Sequence, residues 1–353
     1  MIINKNVVFR VDSSHEIGNG HLIRCIAIAQ KLKKLKYSIN FICSNLDGNQ
    51  NKLIIKNKFK LILINKKYKR FSESEDSIQT IKKLNRFKNI QIFFVDHYFL
   101  SKNWEKKIKK FCNKLVVIDD LNHRKHHCDY YINFSYYKKN NYLKKNISKN
   151  SSLLLGHNYT IIRKEFIKLK SKKIRNNYLK KNIKNILIFT GSSDPTLISM
   201  KILKNILELK LKLNITLINN STDKVFIKFK KDYLSNKNIK FLKFSNKIQN
   251  LIVTSDLIIC STSSIFLECC FFLKPTISIQ TEKNQDNIKE FIINKNISLV
   301  IDNFRKKNLD NFKNSFIKIY NNYSFRKTMV KNMNKIIDGK GVNRIVNKLI
   351  DIN

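Results

Sequence analysis

The sequence predicts an α/β protein made of two doubly wound parallel sheets in tandem. Three observations carry that reading. Short apolar runs alternate with segments of helical apolar spacing along most of the 353 residues. The alternation breaks once, in a Lys- and Asn-rich stretch at 168–184, and then restarts. The length also suffices for two domains of ordinary size, each with its own core.

The first element is the apolar run 7–11, closed by Asp12. After a Gly-containing loop, 21–35 places Leu22, Ile26, Ala29, Leu32 and Leu35 on one helical face. A strand at 39–43, a Lys-rich helix and a short strand at 61–64 follow. Next come a helix near 77–87, a strong strand at 90–95, a helix at 101–112 and a strand at 115–118. Strands near Tyr130 and Leu153 finish this half, and the Asn/Lys-rich patch 138–150 reads as a loop.

The second alternation opens with a strand at 186–190. Its helix is announced by Asp194 as N-cap and Pro195 as first helical residue. Strands follow near 215–218, 239–242, 257–260 and 276–280, and the chain beyond Lys306 has the spacing of two or three amphipathic helices. The expected division is an N-terminal domain at 1–167, a linker at 168–184, a C-terminal domain at 185–305 and a helical tail at 306–353. In such sheets ligands bind outside the carboxyl ends of the strands, so useful residues should lie just after strands.

A net charge of +45 would by itself suggest nucleic acid or an anionic surface. The basic residues are mostly Lys and are scattered, while Gly (7) and Pro (2) are scarce. That is what an AT-rich coding sequence writes, and specific nucleic-acid surfaces lean more on Arg. We therefore expect no specific nucleic-acid partner, although the charge should help an anionic substrate to approach. The seven cysteines form no C-x-x-C pair, a reducing-compartment pattern. The N-terminus runs straight into a strand, and no apolar run approaches the ~18 residues of a membrane span. A cytoplasmic protein without a membrane span is expected; nothing in the sequence sets its oligomeric state, and a monomer satisfies it.

Three strand–helix junctions could carry chemistry. In the segment 10–25, Gly18 and Gly20 allow a tight turn and close approach to a ligand, and His21 falls at a helix start. The positive helix end disfavours an imidazolium there, which would keep His21 able to accept a proton, and Asp12 could orient the ring or partly reverse that bias. The competing reading is a simple turn with His21 as a cap. Gly191, Ser192, Ser193 and Asp194 could cradle a diphosphate or form an ordinary capped junction. Ser263 and Ser264 can offer hydroxyls and amides to phosphate, and Glu268, one turn later, can accept from a ribose diol. A fourth cluster, His123, His126, His127, Cys128 and Asp129, matches no common zinc spacing, so no metal is expected there; it reads as a loop beside the active cleft.

Together these strings resemble one family. The string 10–25, R-V-D-S-S-H-E-I-G-N-G-H-L-I-R-C, resembles the start of the UDP-2,4-diacetamido-2,4,6-trideoxy-β-L-altropyranose hydrolases of pseudaminic-acid synthesis. The resemblance continues through Val95–Tyr98, Asp119-Asp120, 127–129 and 159–166, which holds Arg163. It resumes at 191–194, 261–268 and 283–285, and the tail matches longer relatives at 338–341. It implies two Rossmann-like domains facing across a cleft, a GT-B-like α/β fold with a C-terminal helical tail. It also implies that the sugar lies mainly in the N-terminal domain and UDP in the C-terminal one. By the same resemblance His21 is the general base that activates water. Asp12, Gly18, Gly20, His97, Tyr98, Arg163, Gly191, Ser192, Asp194, Ser263, Ser264, Glu268 and Asn284 then bind the substrate or UDP. One departure is that the usual Gly-Gly of the phosphate loop is Gly191-Ser192 here, where a position needing positive φ would strain Ser192.

The expected reaction is hydrolysis of a UDP-activated diacetamido-trideoxyhexose to UDP and free sugar, with neither cofactor nor metal. A glycosyltransferase of the same fold is the nearest rival, because the two differ only in what fills the acceptor pocket. A non-catalytic nucleotide-sugar binder, or a nucleic-acid binder resting on charge alone, are further alternatives.

Overall fold

A computed structural model describes residues 5–64, 71–121, 123–134, 141–173, 179–191, 194, 197–243, 248–302 and 311–350. The chain divides into two compact units, Met1–Arg163 with Gly339–Asn353, and Lys164–Asp338.

Unit 1 holds a seven-stranded parallel sheet in the order β3-β2-β1-β4-β5-β6-β7. The strands are β1 (Asn6–Val11), β2 (Ser38–Ser44), β3 (Lys60–Ile64), β4 (Ile90–Asp96), β5 (Lys114–Ile118), β6 (Tyr130–Asn133) and β7 (Ser152–Leu155). Helices α1 (Gly20–Lys34), α2 (Lys52–Lys56), α3 (Glu73–Leu84), α4 (Lys102–Lys109) and α5 (Asn141–Asn146) connect them. The continuous apolar runs have a simple cause: a parallel sheet covered on both faces buries every residue of its central strands. Val7, Val8 and Phe9 of β1 are fully buried. Phe9 stacks between Phe41 of β2 and Phe94 of β4, with ring centroids at 4.8 and 4.5 Å, which matches the register of the three strands.

Unit 2 repeats the topology with six parallel strands, β10-β9-β8-β11-β12-β13. These are β8 (Asn185–Phe189), β9 (Asn214–Ile218), β10 (Ile239–Leu242), β11 (Leu257–Ser261), β12 (Thr276–Gln280) and β13 (Leu299–Asp302). The helices are α6 (Lys164–Lys173), α7 (Ile198–Leu207), α8 (Lys224–Asp232), α9 (Ile248–Thr254), α10 (Ser264–Phe271), α11 (Asp286–Lys295), α12 (Phe312–Asn321) and α13 (Tyr323–Asn334). Among the described residues no helix is long and apolar enough to cross a membrane.

Four sequence expectations need correction. The stretch expected as a linker begins inside α6, whose Phe166 is fully buried against Phe272 at 5.4 Å. Strand β13 was not anticipated. The expected loop at 138–150 contains α5. The three tail helices exist, but they do not form one body: α12 and α13 belong to unit 2, while the last, α14 (Gly341–Leu349), belongs to unit 1 and packs on α1.

Helix α7 also begins later than expected. Its N-cap position is Leu197, and Asp194 reaches in from outside the helix to accept from the amides of Ile198 (3.1 Å) and Ser199 (3.0 Å). Asp194 therefore does cap the helix, from an earlier position than its sequence context suggests. Pro195 lies outside the described residues.

Candidate active site

The strand order reverses direction beside β1 in unit 1 and beside β8 in unit 2, so the carboxyl ends of β1/β4 and β8/β11 are the natural ligand positions. In unit 1 a chain of buried charges occupies that edge. Arg10, fully buried on β1, grips Asp12 with two bonds (2.6 and 2.8 Å) and Asp76 of α3 with two more (2.6 and 3.2 Å). Asp12 also accepts from the Ser44 amide (2.7 Å), the Ser44 hydroxyl (3.0 Å) and His97 Nε2 (3.1 Å). Burial opposes ionisation of Asp12, yet Arg10 and His97 outweigh it and hold the carboxyl well below its usual range.

Asp12 therefore serves His97 and not His21, contrary to the sequence expectation. The carboxylate on His21 is Asp96, at the end of β4: its Oδ1 makes a very short contact with His21 Nδ1. Burial works against the charged form of Asp96, but Arg24 and His21 overcome it and keep it ionised. Arg24, one turn after His21 on α1, holds Asp96 in a two-point grip at 2.6 Å each and reaches Asp120 at 2.9 Å. An ionised carboxylate only accepts, so the short contact puts a hydrogen on His21 Nδ1, although Arg24 Nη2 also lies 3.1 Å from that nitrogen; in the neutral ring Nε2 then keeps its lone pair. Among the described residues Nε2 has no hydrogen-bond partner. The His21 ring meets Tyr98 edge-to-face at 4.2 Å, and the Tyr98 hydroxyl is likewise without a partner among them.

The turn leading into this dyad depends on Gly18, which has φ +76°, while Gly20 is the first residue of α1. His97 has both ring nitrogens occupied, since its Nδ1 accepts from the Phe99 amide at 3.2 Å. It offers no free polar atom to a ligand. Burial lowers its pKa, against the pull of Asp12. Arg163 is half-buried at the last position of the first segment of unit 1.

The cluster at 123–129 is tied into the same edge. His126 lies between Glu105 (2.6 Å) and Asp119 (3.3 Å). Burial lowers its pKa, but these two carboxylates outweigh burial and raise it to about 9. Arg124 pairs with Asp119 at 2.5 Å.

In unit 2 the corresponding edge carries small residues. Gly191 follows β8 with φ +132° and open space where a side chain would stand; Ser192 lies outside the described residues. Asp194 is buried and committed to α7, its carboxylate also accepting from the Ser199 hydroxyl (2.6 Å) and Asn219 (3.0 Å). It is thus unavailable to a diphosphate. Ser263 is the N-cap of α10 without a side-chain cap bond, its hydroxyl 2.9 Å from that of Ser261; Ser264 is exposed as the first helical residue, and Glu268 is buried one turn on. Asn284 sits in the short 3₁₀ turn Lys283–Gln285, with its side chain outside the described set.

The structure thus joins His21 with Tyr98, Asp12 with His97, and Ser263, Ser264 and Glu268 along one helix. Asp96, Arg24, Asp120 and Arg124 were not singled out from sequence as site residues. Arg24, Asp96 and Asp120 did lie in the strings that carry the family resemblance, and Arg124 lay in the cluster at 123–129, but no role was read for them.

Comparison with known proteins follows the same outline. Residues 185–344 match the glycosyltransferase family 28 C-terminal domain. Over 292 residues the chain is 27% identical to an uncharacterized protein of Methanocaldococcus jannaschii, covering 79% of this chain and only 57% of the length of that relative. Over 289 residues it is 24% identical to the UDP-2,4-diacetamido-2,4,6-trideoxy-beta-L-altropyranose hydrolase of Campylobacter jejuni, covering 82% of this chain and 96% of that protein. Among solved structures, MurG of Acinetobacter baumannii superposes with a TM-score of 0.66 at 10% identity, over 99% of this chain and 100% of that one. The UDP-GlcNAc 2-epimerase of Neisseria meningitidis bound to UDP-GlcNAc gives 0.65 at 14% identity, over 98% and 100%. The chain thus has a GT-B-like fold, two Rossmann-like parallel sheets with helices alternating between the strands.

Proposed function

We propose that this chain acts on a UDP-sugar as a hydrolase, releasing UDP and free sugar by attack of water at the anomeric carbon. The substrate we infer is a UDP-activated diacetamido-trideoxyhexose of pseudaminic-acid-type synthesis. One observation carries the reading: Asp96 meets His21 on Nδ1, and among the described residues Nε2 and the Tyr98 hydroxyl have no hydrogen-bond partner. That pairing suits a water molecule, with His21 as general base and Asp96 fixing the tautomer and balancing the imidazolium that forms. A positioned base contributes ~10²–10⁴ in rate. Orientation, and electrostatic stabilisation of the departing diphosphate, would supply more. The 24% identity to the Campylobacter hydrolase over nearly its whole length supports the substrate class.

A second reading, transfer of the sugar to an acceptor, is favoured by the family 28 match over 185–344. A panel of UDP-sugars offered without acceptor in oxygen-18 water separates the two. Hydrolysis at carbon puts label on the sugar C1 and none in UDP, with inversion visible by NMR before the anomers equilibrate. UDP release only when an acceptor is added would establish transfer. Label in phosphate would defeat the His21 mechanism.

A further inference from the structure

The turn after β4 carries Tyr98 between two residues that are held from opposite sides. His97 is 5% exposed. Because Asp12 is a buried carboxylate already gripped by Arg10, His97 Nε2 must donate to it, which makes Nδ1 the acceptor for the Phe99 amide at 3.2 Å. From the other side, Arg124 Nη1 donates to the carbonyls of both His97 and Leu100, each at 2.7 Å. Its Nη2 is anchored on Asp119 at 2.5 Å. Arg124 therefore fixes the carbonyl before Tyr98 and the one two residues on, while the amide after it is held by the turn's own His97 ring, itself anchored on Asp12.

Tyr98 itself has no side-chain hydrogen bond among the described residues. Its ring rests edge-on against His21 at 4.2 Å, and no described residue hydrogen-bonds its hydroxyl. The location of that hydroxyl is then inherited from the backbone of the turn. A flexible turn would let it wander, and misplacement by about 1 Å is enough to cost ~10²-fold in a positioned reaction. The Arg124 fork spans two carbonyls from one nitrogen while keeping its ion pair, which a lysine point charge cannot reproduce.

We propose that His97 and Arg124 are positioning residues that clamp the turn after β4 and so hold Tyr98 against the His21 ring. This rests on the hydrolase reading above for its kinetic consequence, but not for its geometry. It also gives a role to Arg124, within the cluster that resembled metal ligands in sequence.

The test uses Arg124→Lys and His97→Gln, alone and combined with Tyr98→Phe, in the full chain. Histidine-ring NMR, with His21 assigned by its loss in His21→Asn, reads the ring-current shift that Tyr98 imposes, without any substrate. Each clamp variant should move the His21 ring signals while the rest of the amide spectrum stays folded. In turnover, each should lower kcat about tenfold with KM within about threefold. In the Tyr98→Phe background the further loss should shrink to under about twofold, because the clamp acts through the hydroxyl. Unmoved His21 signals in folded variants, or losses fully additive with Tyr98→Phe, would overturn the clamp. The two variants are 27 positions apart in sequence, so if one fails to fold the other decides the question. Absence of any UDP-sugar hydrolysis in the wild type would instead remove the functional reading and leave the NMR result to judge the clamp.

Discussion

Asp96→Asn is the most demanding perturbation of the dyad, because it changes one atom and hardly any volume. Asp96 receives His21 Nδ1 in a very short contact, Arg24 through Nε and Nη2 at 2.6 Å each, and Cys25 Sγ at 3.4 Å. Asparagine has one acceptor oxygen. If that oxygen keeps Arg24, its amide group must face His21 and donate to Nδ1, which drives the ring hydrogen to Nε2. The base then has no lone pair for water. Loss of the base corresponds to ~10²–10⁴ in turnover, or about 3–5 kcal/mol of barrier.

A second cost falls on folding. Arg24 would be left, nearly buried, with Asp120 at 2.9 Å as its remaining carboxylate. Removing one partner of a buried ion pair costs about 3–5 kcal/mol, less here because Asp120 stays. The assay must therefore measure kcat below the unfolding range, with urea melts alongside. If UDP rests on Ser263, Ser264 and Glu268 as proposed, its affinity should change less than about threefold. Adding His21→Asn to Asp96→Asn should cost little more, because the two act as one device. A folded Asp96→Asn protein with kcat within about threefold of wild type would refute the dyad. The linkage sign is also set. The folded pKa of Asp96 is depressed, so its stabilisation is present above the unfolded value of about 3.9 and is lost as pH falls toward the folded one.

His126 predicts the opposite slope. Its pKa is raised to about 9 by Asp119 and Glu105 against burial, so its contribution is complete below about 6.5 and drains away as pH rises through about 9. The amount is on the order of 3 kcal/mol, and His126→Gln should flatten the urea midpoint over that window; an unchanged slope would mean the imidazole is not charged there. Gly341→Ala should destabilise unit 1 by about 1–3 kcal/mol despite the better helix former, because a methyl there would overlap the backbone carbonyl of Thr160. Equal or higher thermal stability would show that the start of α14 can move away.

The strands were legible because parallel strands covered on both faces need no alternation, only unbroken apolar runs. The same rule hid Arg10, which sits inside such a run and looks like an interruption. Its carboxylate Asp76 comes from α3, 66 positions away, and no local pattern announces the pair. The junctions after strands were also legible, but not which carboxylate serves which histidine. Asp12 and Asp96 both close a strand and both could face α1. Only the order β2-β1-β4 and the packing of α1 decide that Asp96 takes His21 and Asp12 takes His97. The α6 helix was missed for another reason: its anchoring depends largely on one residue, Phe166, among lysines, too thin a stripe for a periodicity argument.

The two units share one topology, yet their carboxyl edges differ in a way that bears on where each half of a UDP-sugar would rest. Unit 1 presents Asp96, Asp119 and Asp120, each paired with arginine or histidine. A diphosphate entering there would have to compete with those carboxylates for Arg24 and Arg124, and would leave buried acids unpaired. Among its described residues unit 2 presents Gly191, Ser263 and Ser264 at the matching junctions, with amides and hydroxyls; Asp194 is turned inward onto α7, and Glu268 is buried one turn into α10. Neutral donors at a helix start accept an anion at little cost. A neutral sugar carries no such conflict with the unit 1 edge, and its hydroxyl and amide hydrogens can use the outer lone pairs of the carboxylates. Taken each by itself, the carboxyl edge of unit 2 is the better suited to an anion, and the edge of unit 1 to a neutral polar group.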